Sequence, residues 1–250
     1  MSNIIYDIVL DQLYHQRADL GFYLEALRDG LTSSPPPYSF QLFSNEYRAM
    51  VRDPSWFAGL LVSDADLEGY SAKQLWCWAH RIDDIDFSIG AKKHAKDEAR
   101  HSRMFAHLLF SLFPETDTTA NRGRLQAMSP KLNSDPPNKL PAQTFEDSLQ
   151  SAILVNLYEI KALVLGKLLK PTVAAYSTCD RIQRHDAITT ALLADEVTHI
   201  QYTATFIERA NRSGYGKIIR DSMIEHQNAL NRRTLDDLHD MHKSATNTIP

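Results

Sequence analysis

Two stretches of the chain, Lys96-Asp97-Glu98-Ala99-Arg100-His101 and Ala194-Asp195-Glu196-Val197-Thr198-His199, place an acid, a glutamate and a histidine at identical spacing. Residues three apart on a helix share a face, so each Glu-x-x-His can offer one carboxylate oxygen and one imidazole nitrogen to a single point. Mixed oxygen and nitrogen donors suit iron or manganese, whereas the thiolates typical of structural zinc are missing from both stretches. A lone Glu-x-x-His is weak evidence, because most such pairs are solvated. The recurrence of the full Asp-Glu-x-x-His is what marks these two.

The elements that must hold them follow from apolar periodicity. Ala91, His94, Glu98, His101, Phe105, Leu108 and Leu112 form one helical stripe, so three titratable groups line up with a core face. Ile188, Leu192, Glu196, His199, Thr203, Phe206 and Ala210 form a second stripe with Glu196 and His199 at its centre. Between them, Phe145, Leu149, Ala152, Val155, Glu159, Ala162 or Leu163, Gly166 and Leu169 place Glu159 in a third. Buried charges persist when paired or bound to metal, and these acids and histidines converge on core faces. Two Glu-x-x-His helices with carboxylates from two others make the di-iron or di-manganese arrangement of a four-helix bundle.

Those paired motifs, "DEARH" and "DEVTH", together with Glu159, resemble ferritin-like di-iron carboxylate proteins. The likeness is to the branch of bacterial multicomponent monooxygenases, ribonucleotide reductase small subunits and N-oxygenases, and covers about residues 54–210. The resemblance implies that Glu98, His101, Glu159, Glu196 and His199 are metal ligands and form the catalytic set. It implies that Asp97 orients His199 and Asp195 orients His101, since an acceptor on the far imidazole nitrogen fixes the tautomer. It also calls for a carboxylate about thirty residues before the first motif, where Asp64, Asp66 and Glu68 compete. A helix from Pro54 to Ile82 puts Phe57, Leu61, Asp64, Glu68, Leu75, Trp78 and Ile82 on one stripe and favours Glu68. Ser71-Ala72-Lys73-Gln74 competes with that helix, because it matches a capping box that would start a new one. His94, one turn before Glu98, is either a further ligand or a hydrogen-bonded histidine. Tyr158 and Tyr202 adjoin the ligands and suit core packing, with radical or proton transfer as the other role, and Arg100 is expected to form a salt bridge.

The implied cofactors are two iron ions cycling between Fe2+ and Fe3+, with a manganese–iron pair as the variant and O2 as co-substrate. The implied activity is that of an O2-dependent oxidoreductase, a monooxygenase or oxidase that hydroxylates, N-oxygenates or desaturates a small or carrier-bound organic substrate. Iron storage or detoxification, and a radical-generating reductase subunit, are the alternatives. No G-x-G-x-x-G fingerprint or cysteine cluster is present, so electrons are expected from an external donor or from the substrate.

The rest of the chain bounds these expectations. Its 250 residues, 43% hydrophobic and 23% charged, suit one large domain spanning 1–250, and the resemblance implies that it is an all-α ferritin-like four-helix bundle with additional N- and C-terminal helices. A net charge of −4 gives no footprint for nucleic acid. No stretch is long enough to span a bilayer, so no membrane partner is expected. The opening residues lack a signal-peptide pattern, and a cytoplasmic location is the default expectation. Residues 3–29 read as one opening helix, 128–142 as a proline-rich loop. Asp83, Asp84 and Asp86 read as turn and helix-start charges. Ile218, Met223, Leu230, Leu235 and Leu238 form an amphipathic pattern suited to a covering helix or a homodimer contact.

Overall fold

The computed structural model describes residues 4–16, 19–132 and 141–246, with side chains at 16 and beyond 238 excepted. The side chains of His239 and His242, and most of the proline-rich loop, 133–140, therefore lie outside the description. The α-helices are α1 (Ile4–Gln12), α2 (Gly21–Ser33), α3 (Gln41–Met50), α4 (Pro54–Ala79), α5 (Ile85–Leu112), α6 (Thr119–Met128), α7 (Phe145–Tyr176), α8 (Ile182–Ala210) and α9 (Gly216–Thr246). No strand occurs among the described residues. No helix there is long and apolar enough to cross a membrane. The chain divides into two compact units, one of residues 1–47, 147–165 and 196–250, the other of 48–146 and 166–195.

In the second unit, α4 and α5 form the dominant helix pair. Asp53 starts α4, its carboxylate accepting from the Ser55 amide at 2.9 Å, and Pro54 takes the first helical position, where no amide is needed. Asp84 caps α5 by accepting from the Phe87 amide at 2.9 Å, so the Asp83–Asp86 acids do begin a helix. Ser88 donates back to the Ala79 carbonyl at 2.7 Å, and Trp78 meets Phe87 edge-on, closing the short turn between the two helices. At the other end Phe57, Phe113 and Tyr176 stack together, and the Tyr176 hydroxyl donates to the Val51 carbonyl at 2.9 Å. The helix through Glu68 runs unbroken past Ser71, so the capping-box reading is overturned. Apolar residues on both sides of it, Leu61, Ala65, Ala72 and Leu75, are buried and hold the helix together.

In the first unit, α2 packs on α1 and α9. The expected single helix over 3–29 is two helices. Ile5, Val9 and Leu13 are buried, as are Leu20, Leu24 and Leu27. The seven-residue step from Leu13 to Leu20 keeps the apolar pattern in phase across the break, which is why periodicity alone does not show it. Ile219, Met223 and Leu230 of α9 are buried, whereas Leu235 is exposed, so α9 is a covering helix over most of its amphipathic length. Asn228 and Asn231 bond to Ser34, and Arg220 pairs with Glu25 and Asp29, tying α9 to α2. Gly214 separates α8 from α9 with φ 94°, a left-handed conformation that glycine adopts without steric penalty.

Short α6 was not anticipated from the sequence. It packs on α4 and α5, and its last residue lies so close to Gly69 that a Cβ there would collide with the Met128 carbonyl. Gly69→Ala should therefore lose about 1–3 kcal/mol. On the same helix, a Cβ at Gly59 meets nothing within 4 Å, and Gly59→Ala should gain up to about 1 kcal/mol from helix propensity. Urea unfolding of the two variants checks the contrast.

Candidate metal centre

In the second unit, the inner face of α5 carries His94, Glu98 and His101, all buried. Their stripe is otherwise alanine, phenylalanine and leucine, so the helix buries these polar groups along with its core, although Leu112 at its end is only half-buried. The His101 Nδ1 lies 3.4 Å from Glu98 and 3.8 Å from Glu68 of α4. Glu68, Glu98 and His101 offer donor atoms within 4.8 Å of one another. Of the three α4 acids, it is thus Glu68 that joins the cluster. Asp66 turns to Arg124 at 3.0 Å, and Asp64 sits one helical turn before Glu68, half-buried. The His94 Nε2 lies 3.3 Å from Glu98.

In the first unit, Glu159 of α7 and Glu196 and His199 of α8 are buried together. The His199 Nδ1 lies 3.4 Å from Glu159 and 3.5 Å from Glu196. The arrangement repeats that of the other unit: a Glu-x-x-His pair on one helix, a carboxylate from another, and Nδ1 turned toward both acids.

Electrostatics set the acids apart. Burial raises Glu68 well above the ordinary carboxylate range, and the neighbouring Glu98 charge adds to the rise. Burial also pushes Glu98 upward, but hydrogen bonds from Glu68, His101 and His94 outweigh it and hold Glu98 well below its ordinary value. Burial, then the Glu159 charge, lifts Glu196 to about 8. Crowded, buried carboxylates split in this way because the charge on one disfavours ionisation of the next. The donor set fits a hard or borderline metal such as iron: carboxylate oxygens and imidazole nitrogens, buried, with both histidines presenting the same nitrogen.

The far nitrogen of His101 has its own partner, Asp195, whose Oδ2 lies 3.0 Å from Nε2. A proton on Nε2 leaves the Nδ1 lone pair directed at Glu98 and Glu68. Arg100 donates to Asp195 at 2.5 Å and to Asp97 at 3.0 Å, so one guanidinium joins both motif acids. Burial pushes the Asp195 carboxyl up, but bonds from His101 and Arg100 prevail and keep it below its usual range as an acceptor.

A buried polar chain escaped sequence reasoning. The Tyr23 hydroxyl donates to Asn156 Oδ1 at 3.0 Å, and Asn156 Nδ2 donates to Thr203 Oγ1 at 2.9 Å. Thr203 donates to the His199 carbonyl at 2.7 Å. The chain braces α7 and α8 one turn from Glu159 and His199. Its signal was Asn156, polar at the position three before Glu159 in a largely apolar stretch. Tyr158 and Tyr202 are only half-buried, and the Tyr158 hydroxyl lies 3.4 Å from Arg233. His185 is buried between Ser111 and Ser177 at 2.7 Å each, a satisfied structural histidine.

In comparisons with family models, curated proteins and solved structures, nothing matched the chain.

Asp64 gives a prediction separable from the cluster. Burial raises its carboxyl from 3.8 to about 7. The unfolded chain ionises Asp64 from the lower value while the folded chain keeps the proton. Stability from the neutral form is therefore complete below the lower pKa and is lost as pH rises through about 7. Asp64→Asn removes this loss, and its stability advantage over the parent should grow by about 2 kcal/mol from pH ~4 to ~8, a value discounted for partial exposure. Denaturant unfolding across that range measures it.

Proposed function

We propose that the chain is a ferritin-like, non-haem di-iron oxygenase or oxidase that uses O2 to hydroxylate, N-oxygenate or desaturate a small or carrier-bound organic substrate. One observation carries the reading: Glu-x-x-His occurs twice, and each time its buried histidine turns Nδ1 toward its own glutamate and a carboxylate of another helix, at 3.4 to 3.8 Å. Glu68, Glu98, His101, Glu159, Glu196 and His199 would hold the two ions, and His94 is the candidate for a seventh donor. Two ferrous ions, when bound there, would supply the redox chemistry that the side chains lack.

The chain's own residues prepare that chemistry. Asp195 accepts from His101 Nε2 and so keeps Nδ1 available as a ligand. Arg100 pairs with both motif acids, Asp97 and Asp195, and balances their charge. Glu68 and Glu196, the two glutamates raised by burial, give up their protons on metal uptake. The apolar residues flanking the motifs, Phe105, Leu192 and Phe206, exclude water and competing reactions.

Anaerobic ferrous titration of metal-free protein should saturate near two ions per chain, and Glu159→Ala and His199→Ala should each lose about one of them. Full two-ion binding in both variants would sink the assignment. Rapid mixing of the ferrous protein with oxygen should give a transient visible absorption. A cage-like assembly that takes up far more than two ions per chain would identify storage instead.

A further inference from the structure

The inner face of α5 is occupied by the cluster, but its outer face carries a separate pattern. Lys93, Lys96, Arg100 and Arg103 recur at steps of three, four and three, so they form one ridge along the helix. Lys93, Lys96 and Arg103 are exposed. Lys92 adds a fifth cation between positions 92 and 103, where Asp97 is the sole acid not buried. The chain as a whole is net negative, at −4, so this ridge is a local reversal of its charge. Beside it lies a groove of about 210 Å³, lined by Lys96, Ala99, Arg103, Pro130, Lys131 and Leu132. Ser129 fixes its far wall, donating to the Ala99 carbonyl and accepting from Arg103, each at 3.1 Å. Lys93, Lys96 and Lys131 form no ion pair among the described residues.

From this ridge a hydrogen-bonded route runs inward. The Arg100 side chain is 39% exposed and bonds Asp195, and Asp195 bonds the buried Nε2 of His101. Two hydrogen bonds therefore separate a surface guanidinium from an imidazole of the cluster. The chain has no nucleotide-binding fingerprint or cysteine cluster to bring electrons in by itself.

We propose that the α5 ridge and its groove are the docking surface for an acidic one-electron carrier protein, with Arg100, Asp195 and His101 as the entry route. The proposal rests on the oxygenase reading. With iron bound, each encounter would oxidise the carrier by one electron and reduce one ferric ion to ferrous. In the monooxygenase case, two such electrons and two protons from water, with one O2, oxygenate the substrate and release one water. The ridge supplies long-range attraction and orientation, contributions that depend on ionic strength.

The test uses the full-length chain and an acidic plant-type [2Fe–2S] ferredoxin. Calorimetric titration onto protein without added iron should show binding that weakens at least tenfold between about 20 and about 200 mM salt. The triple variant Lys93→Glu, Lys96→Glu, Lys131→Glu should lose tenfold or more in affinity and most of the salt dependence, with the glutamine versions in between. On iron-loaded protein, the same variant should be reduced by ferredoxin at least tenfold more slowly but by reduced methyl viologen at the parental rate. Equal ferredoxin affinity and equal reduction in parent and variant would overturn the proposal. So would binding of an acidic acyl carrier protein to the ridge with none of ferredoxin, which would make the surface a substrate-delivery face. Failure of the parent chain to load iron would overturn the oxygenase reading and this proposal together, whereas normal loading with no effect of the variant overturns the docking surface alone.

Discussion

A carboxylate buried between helices has three ways to persist: keep its proton, be surrounded by donors, or bind a cation. The structure uses the first two at once. Glu98 is kept charged by His94, His101 and the proton of Glu68, while Glu196 beside Glu159 is driven toward its neutral form. Such an arrangement is costly, since buried ion pairs rarely repay the loss of hydration. The surrounding structure reads as the means of holding it. Capped ends on α4 and α5, the Phe57–Phe113–Tyr176 stack at one end of that pair and the Tyr23–Asn156–Thr203 chain in α7 and α8 each fix a helix that carries an acid.

The same constraint explains the glycine on α4. Glu68 must reach the face of α5, and the following residue packs under the last turn of α6 without a side chain to obstruct it. That turn then leads to Ser129, which bonds the α5 backbone at Ala99, next to Glu98.

What could be read from the sequence was what local periodicity records. The stripes through Glu68, Glu98, Glu159 and Glu196 correctly placed α4, α5, α7 and α8, because each acid falls in phase with large apolar neighbours. The turn before Gly21 was hidden, since Leu13 and Leu20 stay in register across it. Asp64, Asp66 and Glu68 compete in the sequence, and only tertiary structure separates them: Glu68 lies 3.8 Å from His101, whereas Asp66 pairs with Arg124. The competing capping-box signal at Ser71 is a local preference overridden by burial on both sides. Arg100 could be read as a salt-bridging residue but not as the bridge between Asp97 and Asp195, because Asp195 lies on a helix almost a hundred residues away and only tertiary structure brings it near.

The departures from symmetry between the two motifs are informative in their turn. Leu192 stands four residues before Glu196 where His94 stands before Glu98, and Thr198 stands where Arg100 does. Both departures fall on α5, one toward the cluster and one toward solvent. An extra imidazole on the inner face adds a donor to Glu98, and an extra guanidinium on the outer face connects the Asp195–His101 pair to the surface. The repeated letters give each unit a Glu-x-x-His, and the unrepeated His94 and Arg100 make the surroundings of the two pairs different. Arginine rather than lysine at position 100 suits this, because its planar fork can bond two carboxylates while part of it remains in water.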